Sequence, residues 1–181
     1  MGFDCGFELK RYKKDDKHSR IMLCFMGNPG DCLDNLIIRY CEPGDEQVEY
    51  WEPVVGEQCV VIDYKKQYEE NQGYEFKVTR NTVNKICNEL FPLYKMCTKY
   101  SERVIDELQN FLDGYRETCP EEVSSSELSF IKDFLYDLGK QYDSNEPEIY
   151  SVMNVYNAAH SLAYLDEDFF EEEEIIYFRS W

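Results

Sequence analysis

The chain opens on an alternation. Phe3, Cys5, Phe7 and Leu9 are apolar, while Asp4, Glu8 and Lys10 are charged and Gly6 is small. A period of two over this length predicts a strand with one buried face. A second apolar run, Ile21–Met26, closes on the turn-forming Gly27-Asn28-Pro29-Gly30 and also reads as a strand. Between them the basic stretch Lys10–Arg20, with Asp15-Asp16 at its centre, has the character of an exposed hairpin connection. Asp31 is placed to cap a short helix through Cys41, with Leu33, Leu36, Ile37 and Tyr40 at helical spacing on its buried side. Pro43-Gly44 ends it. Val48–Trp51, Cys59–Tyr64 and Tyr74–Val78 are further strand candidates.

From Thr79 the period becomes helical. Val83, Ile86, Cys87, Leu90 and Phe91 make one apolar stripe, which continues through Tyr94, Cys97, Val104, Leu108, Phe111 and Leu112. Pro92 is expected to interrupt or kink this helix, and Gly114 to stop it. Ser124 and Glu127 form a capping box for a helix ending near Gly139. Pro147 suits the first turn of another, running to about Leu165 and burying Ile149, Val152, Met153, Tyr156 and Ala163. Ile175–Trp181 reads as a strand returning to the N-terminal sheet. The predicted fold class is α+β: an N-terminal antiparallel sheet joined by a C-terminal strand, with a helical C-terminal half packed on it. We expect a single domain over 1–181, with 1–78 mainly β, 79–165 helical, and 166–181 the acidic segment and closing strand.

Charge changes this picture most. The 181 residues carry 19 Lys and Arg against 37 Asp and Glu, a formal net of −18. Residues 1–116 hold 16 basic and 21 acidic side chains, net −5, whereas 117–181 hold 3 and 16, net −13. Such a surface repels nucleic acid and membranes and attracts whatever carries a basic groove. Fifteen Tyr and eleven Phe supply a core, so the acidity does not imply disorder. No secretory signal is readable, and the longest apolar run is far too short to span a bilayer, so a cytoplasmic protein is expected. The eight cysteines show no CxxC and no paired spacing, and are expected to be reduced and mostly buried. With only His18 and His160 available, structural zinc would need long-range clustering. No cofactor and no metal is expected.

No catalytic signature stands out. The densest chemical feature is Asp166, Glu167, Asp168, Glu171, Glu172, Glu173 and Glu174, seven carboxylates within nine residues, with Phe169 and Phe170 among them. An ordered array of this kind can compete for a channel built to hold phosphates, with the aromatic rings as anchors. It can equally be a solvated run, its aromatics plugging the core. A metal-dependent nuclease or RNA-processing factor could draw on the same acids, but the segment lacks the glycine turn and alternation of a calcium loop. His160, with Asn157 and Tyr164 a turn away, could do acid–base work or be a hydrogen-bonded core histidine. The run Lys10, Arg11, Lys13, Lys14, Lys17 and Arg20 is the one positive patch, and direct duplex binding would have to overcome the global charge.

The two ends of the chain carry a resemblance. Met1-Gly2-Phe3-Asp4-Cys5-Gly6-Phe7 is similar to the Met-Gly-Leu-Asp-Met-Tyr-Leu opening of small phage and prophage proteins. Glu174-Ile175-Ile176-Tyr177-Phe178-Arg179-Ser180-Trp181 resembles their closing strand. The likeness covers about fifteen terminal residues, departs at Cys5-Gly6, and brings no reaction with it. It implies a mobile-element protein whose termini pair in one sheet. With the charge and size it also resembles the anti-CRISPR class. That implies an acidic inhibitor in the host cytoplasm, occupying the groove of a nucleic-acid-binding partner such as a CRISPR effector nuclease. The alternatives are the nuclease above and a non-catalytic phage accessory or assembly protein.

Overall fold

The alternating residues at the start of the chain form strand β1 (Asp4–Arg11), and the run after the basic stretch forms β2 (Ser19–Gly27). The computed structural model describes residues 4–11, 19–43, 75–166, 169–170 and 174–180. Within these lie three more strands, β3 (Glu42–Pro43), β4 (Glu75–Val78) and β5 (Glu174–Ser180). Their order is β2-β1-β5-β4-β3, and every pairing is antiparallel. The fold is α+β, and the C-terminal strand lies in the middle of the sheet between β1 and β4. The strand candidates Val48–Trp51 and Cys59–Tyr64 fall outside the described residues.

One sheet face is the floor of the core. Cys5, Phe7 and Leu9 from β1, Ile175 and Tyr177 from β5, and Phe76 and Val78 from β4 are all buried there. Phe7, Tyr177 and Phe76 are direct cross-strand neighbours, with ring centroids 5.8 and 6.4 Å apart. They form an aromatic row across three strands, the kind of pairing that stabilises a sheet beyond its ladder bonds. Gly6 faces the other way, and a Cβ there would sit 2.4 Å from the carbonyl oxygen of Cys24 and 2.8 Å from Phe178 Cε1. Only glycine fits between these strands.

The helices are α1 (Asp31–Tyr40), α2 (Arg80–Cys97), α3 (Glu102–Leu112), α4 (Ser125–Gln141) and α5 (Ile149–Ala163). α2 and α5 pack against each other, and α5 also rests on β2. In α1 the cap is Gly30 rather than Asp31, because a φ of 80° turns the chain out of the β2 loop. Asp31 and Asp34 instead fall in the first turn, where the helix dipole favours carboxylates. Tyr40 is half-buried rather than core, its hydroxyl donating to Glu89.

Pro92 does not interrupt its helix: α2 runs through it from Arg80 to Cys97. The proline and Asn88, whose carbonyl loses its partner, are both exposed, so water can satisfy that oxygen. Leu90 and Leu93 beside it are fully buried and hold the backbone helical. The continuous stripe is broken elsewhere, at residues 98–101, where the Ser101 hydroxyl accepts the Val104 N–H and starts α3. The Ser124–Glu127 capping box forms as expected. Along α5 the buried set is Ile149, Val152, Val155, Tyr156, Ala158, Ala159 and Leu162, with Met153 and Ala163 half-buried. Among the described residues no helix is long and apolar enough to cross a membrane.

Candidate functional site

Of the nine residues of the acidic segment, Asp166, Phe169, Phe170 and Glu174 are described, while Glu167, Asp168, Glu171, Glu172 and Glu173 lie outside the described residues. Asp166 is exposed, and its carbonyl accepts the Phe169 N–H at 3.1 Å. Glu174 opens β5, in register with Lys10. Phe169 and Phe170 are half-buried and packed against the hydrophobic core. The Arg80 guanidinium lies 4.8 Å from the Phe170 ring and donates to the carbonyls of Ala163 (2.6 Å) and Leu165. One arginine therefore ties the end of α5 and the following turn to the start of α2.

A second acidic feature comes from tertiary structure. Where the N-terminus of α1 meets the α4–α5 loop, two crevices of about 370 and 540 Å³ adjoin and share Asp31, Ser144 and Asn145. The smaller is lined also by Glu146 and Glu148, the larger by Asp34, Lys140 and Asp143. Local backbone chemistry shapes the walls. The loop folds tightly over the end of α4, and a Cβ at Gly139 would be crowded, 3.1 Å from both Glu146 N and Ser144 O. Asp143 takes φ 51°, a left-handed conformation that Asp tolerates better than most residues.

Asp31, Asp143, Glu146 and Glu148 are exposed and form no ion pair among the described residues. Lys140 is the one cation of the described lining. Asp34 is different: it is 2% exposed, and its Oδ1 accepts the Tyr177 hydroxyl at 2.7 Å. Burial, and then the Asp34 charge, pushes the Tyr177 phenol well above its ordinary pKa. The deep wall is thus fixed by a buried acid–phenol pair, while the rim carboxylates stay open. A concave rim of like charges concentrates negative potential and draws cations toward it.

Elsewhere in the helical half four of the acids are held internally. Arg103 bridges Glu107 (2.5 Å) and Glu122 (2.7 Å), Arg116 also pairs with Glu107, and Lys99 pairs with Glu127. Glu89 accepts hydroxyl bonds from Tyr40 and Tyr142 and an amide bond from Gln141, joining α1, α2 and the end of α4. This polar knot is structural.

His160 has no side-chain hydrogen bond among the described residues. It is half-buried, stacked on Tyr156 at 5.3 Å and edge-on to Tyr164 at 5.0 Å. The seven described cysteines are free thiols, and burial pushes Cys32, Cys87 and Cys97 up to about 11, which keeps them protonated and unreactive. Cys59 and His18 lie outside the described residues, as do Lys13, Lys14 and Lys17 of the basic run. Among the described residues no group of three or more His, Cys, Asp or Glu is arranged to hold a metal ion.

The parts of the crevice are far apart in sequence, Asp31 on one side and residues 143–148 on the other. Asp143-Ser144-Asn145-Glu146-Pro147-Glu148 carries three acids in a turn-forming loop, which was the available signal. No family model, no curated protein and no solved structure matches the chain.

Proposed function

We propose that the protein is a non-catalytic acidic inhibitor of mobile-element origin, acting in the manner of an anti-CRISPR protein. Its acidic C-terminal half enters the basic groove of a host defence nuclease and excludes the nucleic acid that the groove is built to hold. The observation that carries this reading is the set of exposed carboxylates Asp31, Asp143, Glu146 and Glu148 around one concave site, with no ion pair among the described residues. They belong to a chain whose last 65 residues carry 16 acids and 3 bases. In sequence, Asp166, Glu167, Asp168 and Glu171–Glu174 add seven carboxylates to that half, and Phe169 and Phe170 among them pack against the core. Arginine and lysine side chains that normally meet phosphates would enter the crevice, and the opposite fields would speed encounter.

The test is competition. A labelled guide RNA or target oligonucleotide is displaced from a purified RNA-guided nuclease by wild-type protein and by an Asp143→Asn, Glu146→Lys, Glu148→Gln variant, at low and high salt. We expect the wild type to displace the label, with an apparent affinity that falls steeply with salt. The variant should compete about tenfold or more weakly, equivalent to roughly 1.4 kcal/mol or more. Equal competition by both proteins, or competition indifferent to salt, would refute the reading. Nucleic-acid cleavage that EDTA abolishes would replace it with an enzyme.

A further inference from the structure

Helix α5 begins without a cap of its own. Glu148 holds the N-cap position, but its side chain accepts no backbone N–H there. The first N–H groups of a helix have no partner within it, and Ile149, the first residue of α5, is fully buried. The acceptor comes from another helix. Gln109 of α3 receives the Ile149 N–H on its Oε1 at 2.9 Å. The other end of the same amide is engaged as well, its Nε2 donating to Asp113 Oδ1 at 2.9 Å, one turn further on at the end of α3. A carboxylate only accepts, so Asp113 takes the donor side of the amide and leaves the oxygen turned toward α5.

Ile149 follows directly on Glu148, and Glu146, Pro147 and Glu148 line the smaller crevice. The other end of their loop is tied to α4, the Ser144 N–H donating to the Gly139 carbonyl at 2.9 Å. Glu146 and Glu148 therefore sit on a short span that is hydrogen-bonded at both ends, to α4 on one side and to α3 on the other. Neither Gln109 nor Asp113 belongs to the described lining of the two crevices, so any effect they have on a ligand there passes through the loop. A site is only as precise as the residues that hold its contacting groups in place. We propose that Gln109 is a positioning residue of the crevice: its amide, oriented by Asp113, caps α5 and so fixes where Glu146 and Glu148 stand on the rim. The proposal rests on the inhibitor reading and deepens it.

Three variants separate the cap from overall stability. Gln109→Leu removes both bonds. Gln109→Glu keeps an acceptor for Ile149 but sets a second carboxylate against Asp113. Adding Asp113→Asn to Gln109→Glu restores a donor for that carboxylate and leaves the net charge at −18, since one acid is gained and one lost. The Tyr150 hydroxyl, which donates to the Glu102 carbonyl at 3.0 Å, keeps α3 and α5 together in all three. Amide hydrogen exchange of the intact chain compares Ile149 with Leu90 in the middle of α2, and displacement of the labelled oligonucleotide reads the crevice. In both single variants Ile149 should exchange about tenfold faster or more while Leu90 exchanges as in wild type. Competition should weaken about threefold or more, in Gln109→Glu against the trend of its added negative charge. The double variant should recover both. Unchanged Ile149 exchange, or faster exchange with undiminished competition, would overturn the proposal. So would Leu90 accelerating in step with Ile149, which marks a purely structural role, or a double variant that recovers neither property. A wild type that fails to compete refutes the inhibitor reading and this proposal together, whereas a competing wild type with unaltered variants refutes this proposal alone.

Discussion

Removing one oxygen atom from the centre of the sheet tests how the buried acid is held. Tyr177 is fully buried on β5, between Phe7 and Phe76, and its hydroxyl donates to the carboxylate of Asp34, itself 2% exposed. Tyr177→Phe keeps the ring, its volume and both aromatic neighbours, so no large cavity opens. What is lost is a 2.7 Å charge-assisted hydrogen bond to a carboxylate out of reach of bulk water. Bonds of this class contribute about 1.5–3 kcal/mol. Taking about 2 kcal/mol, and 2–4 °C per kcal/mol for a domain of this size, the melting temperature should fall by roughly 4–8 °C. Urea unfolding followed by circular dichroism gives the free energy directly, and the Tyr177→Phe/Asp34→Asn cycle gives the coupling.

The same pair sets an alkaline limit. The folded state holds the Tyr177 proton to higher pH than the unfolded chain, whose tyrosines titrate near their ordinary value of 10.0. The unfolded state therefore loses protons first, and this share of the stability, intact below about pH 10, is lost as the pH rises beyond it. Tyr142, raised by burial and by its bonds with Tyr40 and Glu89, acts in the same direction. The Tyr177→Phe protein should show a shallower alkaline loss than the wild type. A variant within about 0.5 kcal/mol of wild type, with an unchanged alkaline profile, would refute the reasoning.

Two further outcomes follow from other parts of the fold. Gly6→Ala forces a methyl group to within 2.4 Å of a backbone oxygen in the neighbouring strand and should cost about 1–3 kcal/mol in urea titration, with Gly6→Ala as stable as wild type arguing against the packing. Glu127 is held down to about 2 by Lys99 and then by the Ser124 hydroxyl and N–H, so the α4 cap should persist as pH falls below 4.5 and be lost only toward 2. Carboxyl NMR should find that depressed titration, and an ordinary value would count against the bridge.

Those parts of the fold governed by local rules were readable from the chain. The alternation at Cys5, Phe7 and Leu9 names the buried face of β1, and Ser124 with Glu127 names the start of α4. The return of the C-terminal strand was readable because a solvated acidic run has no reason to end in Ile-Ile-Tyr-Phe. What failed did so where long-range packing outweighs a local signal. Leu90 and Leu93 keep Pro92 inside a helix, and an apolar stripe that crosses residues 98–101 hides the break there. The crevice was invisible because Asp31 and Glu146 meet only once α1 and the α4–α5 loop are docked. Nor does any pattern in the chain announce that Cys24 and Phe178 leave no space for a residue larger than Gly6.

The position of β5 has a consequence for biosynthesis. β1 leaves the ribosome well before its partner on the inner side of the sheet, residues 174–180. At about 5–20 residues per second, the nascent Cys5, Phe7 and Leu9 wait roughly ten to thirty seconds for Tyr177 and its neighbours. For that interval an apolar strand edge stands open in the cell. The net charge of the growing polypeptide helps keep neighbouring chains apart.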